Sequence, residues 1–175
     1  MDEHAVYLSY RRSLSYSLAL ALYHGLREFG CDVFVDLRPH DQRDALHFAQ
    51  IEARAHFVMV LAPGVIEALQ KPNDPMLAEI EHAIHQRRNI IPVYVNGFRF
   101  ASQFLPKELS FLRRYNGLPV SPETMSEALA ALNARMRGKR IFGTITPAPD
   151  ADAEHLQRVG RDAAQRDMPS NEQLH

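Results

Sequence analysis

The carboxylate best placed for chemistry in this chain is Glu79. It lies in the segment DPMLAEIEHAI, where Asp74 can cap free helical N–H groups and Pro75 suits the first helical position. Met76, Ile80, Ala83 and Ile84 recur at helical spacing and form one apolar face. At about 100° per residue, Glu79 sits roughly 90° from the centre of that stripe. The spacing therefore predicts Glu79 at the margin between core and solvent, near the N-terminal end of the helix. In an open α/β sheet that end of a crossover helix faces the crevice at the carboxyl ends of the strands, where ligands bind. A carboxylate there is placed for chemistry, and the helix dipole favours its ionised form. Spacing alone more often describes a solvated glutamate on an ordinary amphipathic helix.

Other chemistries lack their residues. No G-x-G-x-x-G follows the first strand and no G-x-x-x-x-G-K-[ST] occurs, so two common phosphate cradles are missing. A phospho-acceptor receiver needs acids at the ends of the first and third strands, where this chain has Ser9-Tyr10 and Ala62-Pro63. There is no G-x-S-x-G for a hydrolase nucleophile. Glu79, His82 and His85 form E-x-x-H-x-x-H, but such residues drift by roughly 60° per step around a helix and do not converge. No metal site is expected.

The elements that must position Glu79 follow a regular rhythm. Phe57 to Leu61 is an unbroken apolar run, as is Ile90 to Val95 apart from Pro92. Such runs suit strands buried on both faces of a parallel sheet. Upstream, Ala5 to Leu8 reads as a short strand ending in Ser9-Tyr10-Arg11-Arg12. Ser13 can cap a helix carrying Leu14, Leu18, Leu22 and Leu26, which Gly30 stops. Residues 32–36 (DVFVD) form the second strand, completing a βαβ unit with parallel strands and a right-handed crossover. Asp44 opens a helix through Leu46, Phe48 and Ile51. Beyond Asn96-Gly97, Pro106 begins a short helix to Leu112. Tyr115 to Val120 is a weak fifth strand, and Ser121 or Ser126 opens a last helix through Met136. Residues 1–138 make one domain. Residues 139–175 form a polar tail, flexible or partly helical, with Ile141, Phe142 and Ile145 as its last apolar cluster.

Composition agrees with an ordinary globular domain. Of 175 residues, 46% are hydrophobic and 23% charged, and the formal net charge is −1. That balance gives no electrostatic reason to expect nucleic acid or an anionic membrane as a partner. The single cysteine, Cys31, forms no internal disulfide and is expected to be buried. No signal peptide or membrane-length apolar run is read, so a cytoplasmic location is expected.

The succession VYLSYRR, DVFVD, ARAHFVMVLAPGVIEAL, DPMLAEIEHAI and NIIPVYVNGF resembles a TIR domain over residues 5–136. It is most similar to the bacterial and axon-degeneration type, which cleaves NAD+. The resemblance implies an α/β, flavodoxin-like three-layer fold with five parallel strands in order 2-1-3-4-5 and helices on both faces. A crevice is implied over the ends of the first and third strands. It also implies that Glu79 is catalytic, and that Tyr10, Arg11 and Arg12 lie at the nucleotide site or an assembly surface. Ser9 and Asp36 end their strands in the same crevice and join the substrate-binding set; Asp36 is equally readable as a loop-capping acid. Arg11 or Arg12 can hold a diphosphate bidentately or be ordinary surface charge, and Tyr10 can stack on a ring or cover the strand end.

The activity so implied is that of an NAD+ glycohydrolase or ADP-ribosyl cyclase in bacterial immune or antiviral defence signalling. It needs no cofactor, takes NAD+ as substrate, is activated by TIR–TIR self-association, and works beside a separate effector or sensor protein. The alternative is a non-catalytic TIR adaptor. Two departures favour the alternative: Pro75 stands where the catalytic subfamily commonly has tryptophan, and the loop after the second strand lacks the usual glycine and phenylalanine.

Overall fold

The computed structural model describes residues 4–38, 45–100, 105 and 107–148. Five strands form one parallel sheet: β1 Ala5–Ser9, β2 Asp32–Phe34, β3 His56–Leu61, β4 Asn89–Val95 and β5 Leu118–Val120. Their order is β2-β1-β3-β4-β5, with every neighbouring pair parallel. The helices are α1 Arg12–Glu28, α2 Ala45–Glu52, α3 Val65–Leu69, α4 Pro75–His85 and α5 Met125–Met136. A 3₁₀ helix spans Lys107–Arg114. This is the flavodoxin-like arrangement expected.

Alternation along β1 divides the core in two. Val6, Leu8 and Tyr10 face one layer with Leu22 and Leu26 of α1 and Leu132 of α5. Tyr7 faces the other, with Phe34, Phe57, and Met76 and Ile80 of α4. Tyr7 is in register with Phe34 on one side and Phe57 on the other. The three rings stack at centroid separations of 5.3 and 5.5 Å.

Helix ends show where local signals acted. Asp74 caps α4 by accepting from Leu77 N at 3.0 Å, and Pro75 opens the helix. Gly30, at φ +82°, lets the chain leave α1 in a left-handed conformation that side chains resist. Cys31 is buried.

Several expectations need correction. The first helix begins at Arg12, ahead of Ser13, and its N-cap Arg11 makes no side-chain capping bond. The second strand ends at Phe34, two residues early, because Asp36 turns inward to local partners. The connection after β3 contains a short helix, α3, that the apolar runs do not announce. The last strand starts at Leu118, because the 3₁₀ helix runs on to Arg114. Asp44 and Pro106, expected helix starts, lie outside the described residues. Pro92 is tolerated inside β4 because the β5 ladder begins only opposite Val93. Pro119 sits at the centre of the edge strand β5.

Residues 141–146 dock as an extended strap against the amino ends of the strands. Thr146 N donates to Glu52 O at 3.0 Å, and the buried Arg88 guanidinium donates to Thr144 O. Burial lowers the Arg88 pKa, and the nearby Glu52 carboxylate offsets part of that effect. Among the described residues, no helix is long and apolar enough to cross a membrane.

Candidate active site

At the carboxyl end of β1, one residue after another is committed to a different neighbour. Glu79 was expected at the helix margin. It is instead fully buried, at 0% exposure, beneath the sheet face that carries Tyr7 and Ser9. Tyr7 Oη donates to Glu79 Oε1 at 2.5 Å, and Ser9 Oγ donates to Oε2 at 2.6 Å. Both hydroxyls lie on one face because they are two residues apart on a strand. These short distances are in the range of charge-assisted O–H···O⁻ bonds. They make burial of the carboxylate affordable, where an unpaired one would cost several kcal/mol.

Arg11 turns to the same helix. Its guanidinium pairs with the Asp74 carboxylate, so Asp74 caps α4 and anchors Arg11 together. The Arg11 Nε–H is buried and finds no acceptor among the described residues.

Tyr10, Arg12 and Asp36 form a second group on the β2 side. Tyr10 Oη donates to Asp36 O at 2.9 Å, and its ring lies in the α1 layer beside Tyr16. The ring is buried in this structure. Arg12 Nη1 donates to Leu37 O at 3.0 Å, and its guanidinium lies 4.3 Å from the Tyr16 ring centroid. The Asp36 carboxylate accepts from Arg38 Nε at 3.0 Å and Nη2 at 2.8 Å, and lies 2.7 Å from His47 Nε2. Burial alone would raise the Asp36 pKa. Hydrogen bonds to His47 and Arg38 outweigh it and hold this carboxyl well below the usual carboxylate range.

Sequence reasoning missed Tyr7, Asp74 as a partner for Arg11, and His47. Tyr7 reads as a core aromatic, and His47 as one polar position in an apolar helix. The period-2 pattern that puts residue 7 on the same face as Ser9 was the available signal. The E-x-x-H-x-x-H residues diverge in space. His82 Nε2 lies 3.0 Å from Glu52 Oε1 and against the Phe48 ring, while Glu79 points into the core. A cavity of about 580 Å³ opens at the carboxyl ends of β3 and β4, lined by Pro63, Gly64, Glu67, Gly97, Phe98 and Arg99 among others. Glu79 does not line it.

The fold and this β1–α4 junction define an α/β domain of flavodoxin-like topology with a carboxylate held at the end of its central crossover. No family model matches the chain. NAD(+) hydrolase tir-1 of Caenorhabditis elegans is 29% identical over 120 residues, covering 65% of this chain and 12% of that protein. NAD(+) hydrolase SARM1 of Danio rerio is 27% identical over 126 residues, covering 67% of this chain and 17% of that protein. The chain thus spans less than a fifth of either relative. These similarities bear out the resemblance to TIR domains. Among solved structures, a flavodoxin-like domain from Synechococcus sp. matches with TM-score 0.37 at 17% identity, over 92% of this chain and 96% of that one. A diflavin flavoprotein A3 from Nostoc sp. matches with TM-score 0.43 at 15% identity, over 95% and 99%. Both likenesses are too loose to carry an argument about function.

Proposed function

We propose that this domain cleaves the nicotinamide–ribose bond of NAD+, with Glu79 as the catalytic carboxylate. The observation that supports this most is the Glu79 carboxylate held between Tyr7 and Ser9 at the carboxyl end of β1. The two relatives named as NAD(+) hydrolases support the substrate.

Nicotinamide leaves as a neutral molecule from a cationic pyridinium, so no acid has to protonate it. Positive charge develops on the ribose instead. A fixed carboxylate beside that ring stabilises it electrostatically. Water then adds to the ribose carbon, releasing ADP-ribose and one proton. In the cyclising branch, a ring nitrogen of the same molecule's adenine takes the place of water. A carboxylate can accept several hydrogen bonds at once, and ribose hydroxyls are the donors we propose for it in the substrate complex. Arg11, whose guanidinium pairs with Asp74 at the start of α4, is the cation we propose to receive the diphosphate.

Because Glu79 is buried in this conformation, turnover requires the residues covering the carboxylate to move aside while Tyr7 and Ser9 keep hold of it. Self-association is the opening device we propose, so rate should rise more than linearly with protein concentration. The test is incubation of NAD+ with protein over a wide concentration range, with products identified by mass. Nicotinamide with ADP-ribose or its cyclic form is expected. Intact NAD+ at every concentration would overturn the reading.

A second reading takes the domain as a non-catalytic TIR interaction module. It is favoured by the same burial, which also suits a purely structural carboxylate, and by Pro75 at the start of α4. The wider setting we propose is immune or antiviral defence, with a separate sensor or effector, since unchecked cleavage drains a cell of NAD+. Induced expression in a bacterial host checks it: NAD+ should fall, and should hold steady with Glu79→Gln.

A further inference from the structure

We propose that Tyr7 is a positioning residue, its hydroxyl fixing the orientation of the Glu79 carboxylate for the reaction. This rests on the NAD+-cleaving reading above and names the group that makes its carboxylate precise.

Three observations carry it. First, the Tyr7 ring is immobilised. It lies between Phe34 and Phe57, in register with both, at 5.3 and 5.5 Å, with interplanar angles of 27° and 5°. Neighbouring strands hold both flanking rings, so the hydroxyl is presented by rigid sheet rather than by a loop. Second, that hydroxyl lies 2.5 Å from Glu79 Oε1, while Ser9 Oγ lies 2.6 Å from Oε2. The last torsion of a glutamate is broad and soft, so an unrestrained carboxylate sweeps a wide arc. Two donors from one strand, one on each oxygen, define its plane. Third, Tyr7 is buried in the layer behind the carboxylate, among Phe34, Phe57 and Met59, so it acts through Glu79 and not on substrate.

Transition-state stabilisation by a fixed charge depends steeply on placement, and an error of about 1 Å can cost on the order of 100-fold in rate. Tyr7 therefore acts on turnover and leaves binding alone.

The test compares wild type, Tyr7→Phe, Ser9→Ala, Glu79→Gln and the double variant Tyr7→Phe/Glu79→Gln with NAD+ as substrate. Tyr7→Phe keeps the ring ladder and removes only the hydroxyl. It should lower kcat by roughly 10-fold and leave KM within about twofold. The double variant should turn over no more slowly than Glu79→Gln alone, because the hydroxyl has nothing left to position. Ser9→Ala removes the other donor without touching the ladder. It should show the same split, which keeps the test open if Tyr7→Phe folds poorly. Wild-type kcat in both Tyr7→Phe and Ser9→Ala overturns the proposal, as does a double variant whose losses multiply. Wild-type protein that leaves NAD+ intact overturns the parent reading, and this proposal with it.

Discussion

The imidazole of His47 is fully buried and lies 2.7 Å from the Asp36 carboxylate, joining α2 to the end of β2. Arg38 closes on the same carboxylate through its Nε and Nη2, next to the imidazole. This cluster ties α2 to the residues that follow β2 and gives the fold a pH dependence. The folded Asp36 pKa lies below its unfolded value of 3.8, so the stabilisation is present in full above that value. It is lost as pH falls from about 4 towards the lower folded value. Asp36→Asn should destabilise the domain by roughly 3 kcal/mol near neutral pH. Denaturant unfolding from pH 7 down to pH 3 checks this: the gap between wild type and variant should narrow only below about pH 4. A gap that does not change with pH would show that the ionised form adds nothing.

Glu79→Gln should reduce NAD+ turnover by roughly 10²–10³ with little change in KM, since its charge acts as the transition state forms. Because Glu79 is buried between two hydroxyls, the substitution should also cost about 1–2 kcal/mol of stability, in contrast to a surface glutamate. Glu81→Gln, on the exposed side of α4, should alter neither. Steady-state kinetics beside melting curves separate the two effects. Equal turnover by wild type and Glu79→Gln would rule out the catalytic assignment.

Asp74 has two tasks that substitution can separate. Asparagine caps helices about as well as aspartate, so Asp74→Asn should keep the Leu77 N–H bond and lose the charge that pairs with Arg11. Asp74→Ala loses both. The alanine variant should be the less stable by about 1 kcal/mol. Identical unfolding free energies for the two would show that the cap contributes nothing here.

The strap divides the C-terminal residues by consequence. Residues from about 147 onward are expected to be dispensable, and truncation after Ala148 should leave Tm within a few degrees. Truncation after Gly138 removes Thr144 and Thr146, and with them an acceptor for the buried Arg88 and a backbone bond to Glu52. That shorter chain should lose about 2 kcal/mol. Thermal melts of the two truncations decide. A shared Tm would mean that the strap rests on the surface without holding it.

Much of the architecture was legible in the sequence. Two-sided burial writes continuous apolar runs into β3 and β4, and the Asp74-Pro75 start marks α4. Strand ends were less legible. β2 stops where Asp36 finds Arg38 and His47, and a partner eleven residues away leaves no periodic trace. Glu79 shows the limit most clearly. Helical spacing gives its angle around α4, and 90° from an apolar stripe is half-way to solvent on an isolated helix. What decides its burial is a pair of hydroxyls from β1, on another element more than 60 residues away in sequence. Arg11 and Arg12 followed the same logic. Their place after β1 was readable, but their commitments to Asp74 and Leu37 depend on tertiary contact.

Pro119 carries a consequence for how copies of this domain can meet. β5 is an edge strand of three residues. Its two outer members align with Val93 and Val95, and Val120 O accepts from Asn96 N, so their backbone groups are spent on β4. The middle residue is the one whose backbone faces outward, and as proline it has no N–H to offer. An incoming strand would find no donor there, so this border of the sheet resists templated growth and the amyloid-like stacking that bare edges invite. At the β5 border, backbone pairing between two copies lacks its central donor, so contacts there fall to side chains and loops.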